Sequence, residues 1–77
     1  MVGTLVTDVV KNLVDKEEAV NVKEVTGDNT TVIEVSVDKE DLGKVIGKQG
    51  RNASAIRTLL KAASKKHNKK FILNISN

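Results

Sequence analysis

Apolar residues recur with a helical period in three segments of the chain and with a strand period in three others. In the first segment their spacing places them on one face of a helix of about three turns. The positions on this face are Leu5, Val6, Val9, Val10, Leu13 and Val14. The pattern predicts that the helix ends near Lys16, because a cation stabilises a helix C-terminus.

Two segments rich in β-branched residues follow and are joined by a short turn. Residues 19–26 read as a strand, with Val20 and Val22 in alternation. Residues 27–29, Gly-Asp-Asn, form a turn cluster because each of them tolerates unusual backbone angles. Residues 30–37 alternate again, and one face is formed by Thr31, Ile33, Val35 and Val37. Two such runs around a short glycine-containing loop are typical of a β-hairpin.

A short helix and a glycine-bounded turn come next. Asp38 is suited to cap a helix, and Asp41 lies three residues later, close to a capping-box arrangement. The helix would carry three apolar side chains inward: Leu42, Val45 and Ile46. Residues 47–50, Gly-Lys-Gln-Gly, then interrupt the helical pattern.

A longer amphipathic helix is predicted from Arg51, and a strand follows it. The apolar face of this helix consists of Ala53, Ile56, Leu59, Leu60 and Ala63. The pattern gives way to a polar, basic loop over residues 65–70. Residues 71–76 alternate apolar and polar positions, which predicts the third strand, with an inner face of Phe71, Leu73 and Ile75.

The predicted order of elements is α-β-β-α-α-β, an α+β arrangement. Three strands that are apolar mainly on one face need a layer of helices over that face. We therefore expect a three-stranded sheet covered on one face by three helices, with the other face open to water. A chain of 77 residues has room for a single domain over residues 1–77, and none for a second domain or a deep catalytic cleft.

Composition excludes several kinds of chemistry. The chain has no cysteine and one histidine, which removes disulfides, zinc-thiolate sites, cysteine nucleophiles and multi-histidine metal sites. No acid–base pair or nucleophile–base constellation is visible, so we expect a protein that is not an enzyme and needs no metal or cofactor. No apolar run approaches the roughly 18–20 residues that span a bilayer. With no secretory signal at the N-terminus, we expect a cytoplasmic protein without membrane contacts.

Charge divides the sequence into two parts. Residues 1–43 hold four basic and ten acidic side chains, 4 − 10 = −6, whereas residues 44–77 hold nine basic and no acidic ones, or +9. The sum is the net charge of +3. A segment with nine cations and no anion is suited to bind a polyanion such as a nucleic acid. The alternative at this point is an ordinary solvated basic face. The near absence of aromatic residues argues against a module that stacks bases on aromatic rings.

The turn formed by Gly47, Lys48, Gln49 and Gly50 is the candidate contact for a phosphate backbone. Because the turn opens a helix, the backbone N–H groups of Gly50, Arg51 and Asn52 are predicted to lack intrahelical partners and to form a phosphate site. Glycines allow a sugar-phosphate chain to come close. Lys48 and Arg51 add cations there, with Lys44 and Arg57 one or two turns away.

The spacing of the glycines matches neither a P-loop nor a dinucleotide-binding fingerprint. Gly43 and Gly47 have three residues between them instead of four, and Lys48 is followed by Gln49 instead of Ser or Thr. An alternative interpretation is a helix–helix connection that needs glycine only for its geometry. Placed between two helices inside a β-α-α-β segment, however, the pattern is much more specific.

The residues around this turn resemble the signature of the K-homology (KH) domain: Val45, Ile46, Gly47, Lys48, Gln49, Gly50, Arg51 and Asn52, followed by Ile56. The N-terminal helix and strand, residues 4–26, precede the β-α-α-β core of residues 30–77, which resembles the type II arrangement. The run from Gly43 to Leu60 closely resembles the small single-KH RNA-binding proteins of bacteria called KhpA. The resemblance covers essentially the whole chain.

This resemblance implies a non-enzymatic protein that binds single-stranded RNA, gripping the backbone of about four nucleotides with the G-x-x-G turn. The family places bases in an aliphatic groove, for which the candidates by position are strand residues 32–37 and Leu42, Val45, Ile46 and Ile56, with Leu42 and Ile56 better explained as core. It also implies a homodimer, or a complex with a larger KH-domain RNA-binding protein. The implied cellular role is post-transcriptional regulation or RNA chaperoning linked to cell division and elongation.

Other polar residues have two interpretations each. Lys65, Lys66, Lys69 and Lys70 either contact RNA or complement a helix dipole. His67 is expected to be an exposed residue, and the pair Asp38 and Asp41 is expected to cap a helix instead of binding a metal. Exposed Ala55 and Ala62 would allow another helix to approach in a dimer, or are simply good helix formers.

Two competing functions stay open at this point. One is a protein-interaction module that keeps the KH fold without binding RNA. The other is a helix-turn-helix DNA-binding domain, which is disfavoured because the turn is bounded by glycines and backed by a sheet.

Overall fold

The computed structural model describes residues 2–77, and it has the predicted order α-β-β-α-α-β. Helix α1 spans Val2–Lys11, and strands β1 and β2 span Asn21–Thr26 and Thr30–Ser36. Helices α2 and α3 span Leu42–Ile46 and Arg51–His67, and strand β3 spans Lys70–Ser76. Three short 3-10 turns connect these elements, at Glu17–Ala19, Lys39–Asp41 and Lys48–Gly50.

The three strands form one mixed sheet in the order β1-β2-β3. β1 and β2 are antiparallel and form the predicted hairpin, with Val22 opposite Val35. β2 and β3 are parallel, with Ile33 opposite Leu73. Parallel neighbours need a crossover connection, and here α2, the glycine turn and α3 supply it. The glycine turn therefore lies in the middle of the crossover.

The core lies between the helices and one face of the sheet, which we call the covered face. Alternation along the strands directs every second side chain toward the helices. The buried apolar residues come from all three helices and from two strands, together with two connecting segments: Val6, Val10, Val14, Ile33, Val35, Val37, Val45, Ala53, Ile56, Leu60 and Leu73. The predicted two-layer α+β architecture is therefore confirmed.

The first helix is shorter than its apolar pattern predicts. It ends at Lys11 instead of near Lys16, and the N–H of Leu13 donates to Val10 at 2.9 Å in a tighter turn. The reason lies elsewhere in the chain, because the backbone N–H of Lys16 donates to the carboxylate of Asp41 at 3.0 Å. That bond directs the chain away from the helix axis. β1 likewise begins at Asn21 instead of residue 19, after the Glu17–Ala19 turn.

Helix α3 is longer than predicted, because Lys65, Lys66 and His67 belong to its last turn and not to a loop. The helix ends where Asn68 adopts a left-handed conformation, φ 53°, and donates its N–H to the carbonyl of Ser64. Asparagine is one of the few residues that tolerate this conformation. The connection to β3 is therefore very short.

The apolar faces of α1 and α3 are also narrower than the sequence pattern predicts. Leu5 and Leu59 are 49% and 44% exposed, although both were expected to face the core. Both lie in an open concave region between α1 and α3, where neither helix covers the other's leucine.

Asp38 caps the turn as predicted, since its Oδ1 accepts from the N–H of Glu40 at 2.9 Å. Asp41, however, does not complete a capping box. Its buried carboxylate accepts from the Lys16 N–H and lies 3.6 Å from Nζ of Lys44. The backbone hydrogen bond from Lys16 holds the pKa of Asp41 below its usual value, with a further contribution from Lys44. Asp41 thus ties the segment after α1 to the start of α2.

Candidate nucleic-acid interface

Left-handed backbone defines the turn between α2 and α3. Gly47 has φ 79° and Gly50 has φ 74°, while Gln49 adopts φ 58° between them. Gly47 is required for a second reason as well, because a Cβ at this position would lie 2.7 Å from Cγ of Asn52. At Gly50 a Cβ would meet nothing within 4 Å, so only its backbone angles favour glycine there.

Asn52 holds the turn closed. Its Nδ2 donates to the backbone carbonyl of Lys44 at 2.8 Å, which connects the last turn of α2 to the first turn of α3. The side chain reaches this carbonyl only because Gly47 leaves the space open. Asn52 therefore shapes the turn from inside.

The prediction that the N–H groups of Gly50 and Arg51 are free is wrong. The N–H of Gly50 donates to the carbonyl of Gly47 at 3.0 Å, and that of Arg51 donates to the carbonyl of Lys48. The left-handed residues fold the chain into a 3-10 turn that satisfies these donors locally. What the turn offers to an anion is therefore mainly its exposed side chains, Lys48, Gln49 and Arg51, with Nη2 of Arg51 lying 3.3 Å from Oε1 of Gln49.

Lys44 differs from the other cations predicted to bind RNA because carboxylates lie beside its ammonium group. Its Nζ forms ion pairs with Asp15 and Asp41, and the hydrogen bond to Asp15 raises the pKa of Lys44 above its usual value. Within residues 2–77, no carboxylate lies within ion-pairing distance of Lys48, Arg51 or Arg57. The free positive charge is therefore concentrated at the turn and along α3.

Ile46 lies at the surface beside the turn, 39% exposed, although the sequence predicted that it points inward. Val45 and Ile56 are completely or almost completely buried, as are Ile33 and Val35 of β2. Val45, Ile33 and Val35 therefore offer no surface to a base, contrary to their assignment to a groove, whereas Ile56 belongs to the core, as expected for it. Leu42 is half-buried and packs against the core, in agreement with the core position that the sequence favoured for it.

A groove of about 410 Å³ lies between α3 and β3, and we call it the α3–β3 groove. Arg57 and Lys61 line its helical side, and Ile72 lines its strand side. The predicted strand for a groove was β2, but β2 is the central strand and has neighbours on both edges. β3 is an edge strand next to α3, so the groove lies beside β3 and not beside β2. The remaining residues of the groove are Ser54, Thr58, Leu60, Phe71 and Leu73.

Residues 2–77 hold neither a metal-binding cluster nor a helix that could span a membrane. No cluster of three or more histidine, cysteine, aspartate or glutamate side chains is arranged to hold a metal ion in that range. None of the helices described there is long and apolar enough to cross a membrane.

The chain matches one protein family over almost its whole length. The family described as "KhpA/KhpB, KH domain" matches residues 3–75. The chain belongs to this family. The RNA-binding protein KhpA of Clostridium perfringens strain 13 is 55% identical over 71 residues, which are 92% of this chain and 95% of that protein. The RNA-binding protein KhpA of Chlamydia trachomatis serovar D is 54% identical over 67 residues, which are 87% of this chain and 86% of that protein.

The KhpA/KhpB family is a family of named RNA-binding proteins with a KH domain and not an enzyme family. Among solved structures, Era in complex with MgGDPNP and nucleotides 1506–1542 of 16S ribosomal RNA has a similar fold, with a TM-score of 0.61 and 23% identity. The structural similarity covers 97% of this chain and 29% of the Era chain. Era of Aquifex aeolicus bound to GDP and aluminium fluoride gives a TM-score of 0.59. The KH-like fold expected from the sequence is thus confirmed.

Proposed function

We propose that this protein binds single-stranded RNA, with the RNA backbone at the G-x-x-G turn and the bases in the α3–β3 groove. The observation that supports the proposal most is the pairing of an exposed, rigid turn with cations that lack carboxylate partners beside an open groove. Membership in the KhpA/KhpB family points in the same direction, since the named relatives are RNA-binding proteins.

Within this proposal the residues of the turn have separate roles. Gly50, where an added Cβ would meet nothing within 4 Å, leaves the turn open to a sugar-phosphate chain, and Gly47 leaves the space that the Asn52 side chain occupies. Lys48 and Gln49 contact phosphate and sugar at the tip, and Arg51 contacts the next phosphate.

The residues around the turn complete the proposed site. Arg57 extends the positive charge along α3, and Ile46 offers an apolar surface to a base. Asn52 positions the turn through its bond to Lys44. Lys44 itself contributes least to RNA affinity, because Asp15 and Asp41 already neutralise its charge.

The decisive experiment replaces the tip of the turn by acids. The double variant Lys48→Asp/Gln49→Asp should abolish binding to short single-stranded RNA, while circular dichroism and melting temperature stay almost unchanged, since both side chains are exposed. For about three neutralised phosphates, the slope of log affinity against log salt should be near −2 in the unmodified protein.

The matched control is Lys39→Asp/Asn77→Asp, which changes the charge by the same amount at two exposed positions away from the turn and groove. It should bind RNA more tightly than the turn variant at every salt concentration. Normal RNA binding by the turn variant would overturn the assignment. A gel shift with duplex DNA that exceeds the shift with single-stranded RNA would instead support the helix-turn-helix alternative.

A second candidate function is self-association through the surface between α1 and α3. Leu5 and Leu59 are exposed there, beside Ala62, in a concave region of about 800 Å³. We propose that a second copy of the chain covers this surface in a homodimer. Leu59→Glu should then yield a monomer in sedimentation equilibrium. If the unmodified chain is monomeric, a hetero-complex with a larger KH-domain protein, or a protein-interaction role without RNA, replaces this proposal.

The proposed cellular role is that of a cytoplasmic post-transcriptional regulator or RNA chaperone linked to cell division and elongation. It rests on the family resemblance together with the proposed RNA site. Crosslinking and sequencing of the RNA bound in cells, compared between the unmodified chain and the Lys48→Asp/Gln49→Asp variant, would identify transcripts that depend on the turn. An identical set of transcripts in both would contradict the role.

A further inference from the structure

The two exposed flanks of α3 differ in what lies beside them. One flank faces the edge strand and carries Arg57 and Lys61 along the α3–β3 groove. The other flank faces α1 and carries Leu59 and Lys66, with the carboxylate of Glu24 in the same concave region. The charged side chains along the first flank are therefore all cations, whereas the second flank combines charges of both signs.

The α3–β3 groove continues beyond the part next to the glycine turn. A second concave region of about 650 Å³ lies at the connection between α3 and β3, and it shares Lys61 and Phe71 with the groove. Lys69 and Lys70 also line it, together with Asn29, Ser64 and Asn68. The shared residues make the two regions one continuous channel along the edge of the molecule.

No acidic side chain lines either part of this channel. The sequence contains no aspartate or glutamate after Asp41, so residues 42–77 carry no acidic side chain that would compete for these cations. Within residues 2–77, Lys61, Lys69 and Lys70 take part in none of the ion pairs. Three cations thus line the far end of the channel without partners, which is unfavourable unless an anion or water surrounds them.

The far end of the channel is held in place by hydrogen bonds. Oγ of Ser64 donates to the carbonyl of Leu60 at 2.9 Å and accepts from the N–H of Phe71 at 3.1 Å. The N–H of Lys69 donates to Ser64, and that of Lys70 donates to Asn29. The backbone that presents the lysines is therefore fixed before any ligand arrives, which lowers the entropic cost of binding.

We propose that a single RNA strand runs from the glycine turn along the α3–β3 groove to the α3–β3 connection, where Lys61, Lys69 and Lys70 contact the phosphates of nucleotides beyond the four gripped by the turn. This inference rests on the proposed function. Helix α3 has 17 residues, so at 1.5 Å per residue its length is about 25 Å. The channel runs along α3 from Ser54, one turn after the helix begins, to Asn68 at its end.

The test compares RNA length with lysine position. The variant Lys61→Gln/Lys70→Gln removes two cations from the far end of the channel, and Lys11→Gln/Lys66→Gln removes two exposed cations outside it. Fluorescence anisotropy is measured with a four-nucleotide and a ten-nucleotide RNA of the same composition, across a series of salt concentrations.

We expect the unmodified protein to bind the longer RNA more tightly per site. The channel variant should lose roughly tenfold in affinity for the ten-nucleotide RNA near physiological salt, and its salt slope should fall by about 1.4, since each phosphate contact to a single strand contributes about 0.7. Its affinity for the four-nucleotide RNA should stay close to that of the unmodified chain. The control variant should keep the full salt slope.

Two outcomes would overturn the inference. One is equal loss in the channel and control variants, which would mean that only net charge matters. The other is equal affinity of the unmodified protein for both RNA lengths. In both cases the proposed function survives if Lys48→Asp/Gln49→Asp still abolishes binding, and it fails by itself if no RNA of either length binds.

Discussion

Lys44 and Lys48 lie four residues apart in regions of opposite character. Lys44 belongs to a junction in which Asp15 and the buried Asp41 surround its ammonium group. Lys48 lies at the tip of an exposed turn, and no carboxylate within residues 2–77 reaches it. The comparison separates two uses of one residue type, because a paired lysine connects parts of the fold, whereas an unpaired one leaves its field available to a ligand.

The largest expected effect comes from the glycine between these two regions. Gly47→Ala should cost about 3 kcal/mol of unfolding free energy and abolish RNA binding, because it combines a strained positive φ with a close contact to Asn52. Denaturant titration measures the first effect and anisotropy the second.

Gly43 provides the matched control, since a Cβ there meets nothing within 4 Å and the residue lies inside α2. Gly43→Ala should stabilise the protein by roughly 0.5–1 kcal/mol, because glycine is unfavourable in a helix. A Gly47→Ala protein as stable as the Gly43→Ala protein would show that the turn does not need its geometry.

The junction should show itself in the dependence of stability on pH. The pKa of Asp41 is lowered in the folded state, so the unfolded chain binds more protons at acidic pH. The contribution of Asp41 is therefore present above its unfolded pKa, about 3.9, and is lost as pH falls through the folded value. Asp41→Asn should flatten the acidic limb of melting temperature against pH, and an unchanged limb in this variant would contradict the role given to Asp41.

Lys44 should affect the dependence of stability on pH in the alkaline range. Its pKa is raised in the folded state, so its contribution is complete below the unfolded pKa of about 10.4 and is lost as pH rises through the folded value. Lys44→Ala should lower the melting temperature at neutral pH, since it leaves the buried carboxylate of Asp41 without this cation, and should change the RNA salt slope little. A full loss of RNA binding without a change in stability would reverse the assignment of Lys44.

Lys48→Ala should behave in the opposite way. We expect roughly fourfold weaker RNA binding near physiological salt and a slope smaller by about 0.7, as for one lost phosphate contact. The melting temperature should not change, because the side chain is exposed and unpaired. If stability falls together with affinity, the contrast between the two lysines is not the correct description.

The smallest effect is expected at Gln49, which adopts a left-handed conformation, φ 58°. Gln49→Gly should raise the unfolding free energy by less than about 1 kcal/mol, because glycine adopts this conformation without strain but gains more freedom in the unfolded chain. Chemical denaturation in parallel with Gln49→Ala isolates the backbone effect. Equal stability of the two variants would show that the turn is not strained.

The strands and most of the core could be predicted because their information is local. Alternation alone identified the inner positions Ile33, Val35 and Leu73, since a strand has only two faces. The glycine turn was equally visible, because positive φ strongly favours glycine. The order of the surrounding helices followed from the helical period of their apolar residues.

The remaining features depend on contacts between distant segments. The end of α1 is set by a hydrogen bond from Lys16 to Asp41, 25 residues away in sequence. The α3–β3 groove depends on which strand lies at the edge of the sheet, and alternation does not determine strand order. The donors of Gly50 and Arg51 are used inside a 3-10 turn whose geometry no periodicity reveals.

The parallel pairing of β2 with β3 has a consequence for how the protein forms during translation. Ile33 of β2 pairs with Leu73 of β3, which is synthesised forty residues later. During translation β2 can therefore pair with β1 well before it can pair with β3. Until then one edge of β2 offers unpaired backbone groups to any other nascent strand. Closure over so long a separation is slow relative to helix formation, and we expect this interval to be when the polypeptide is most prone to aggregate.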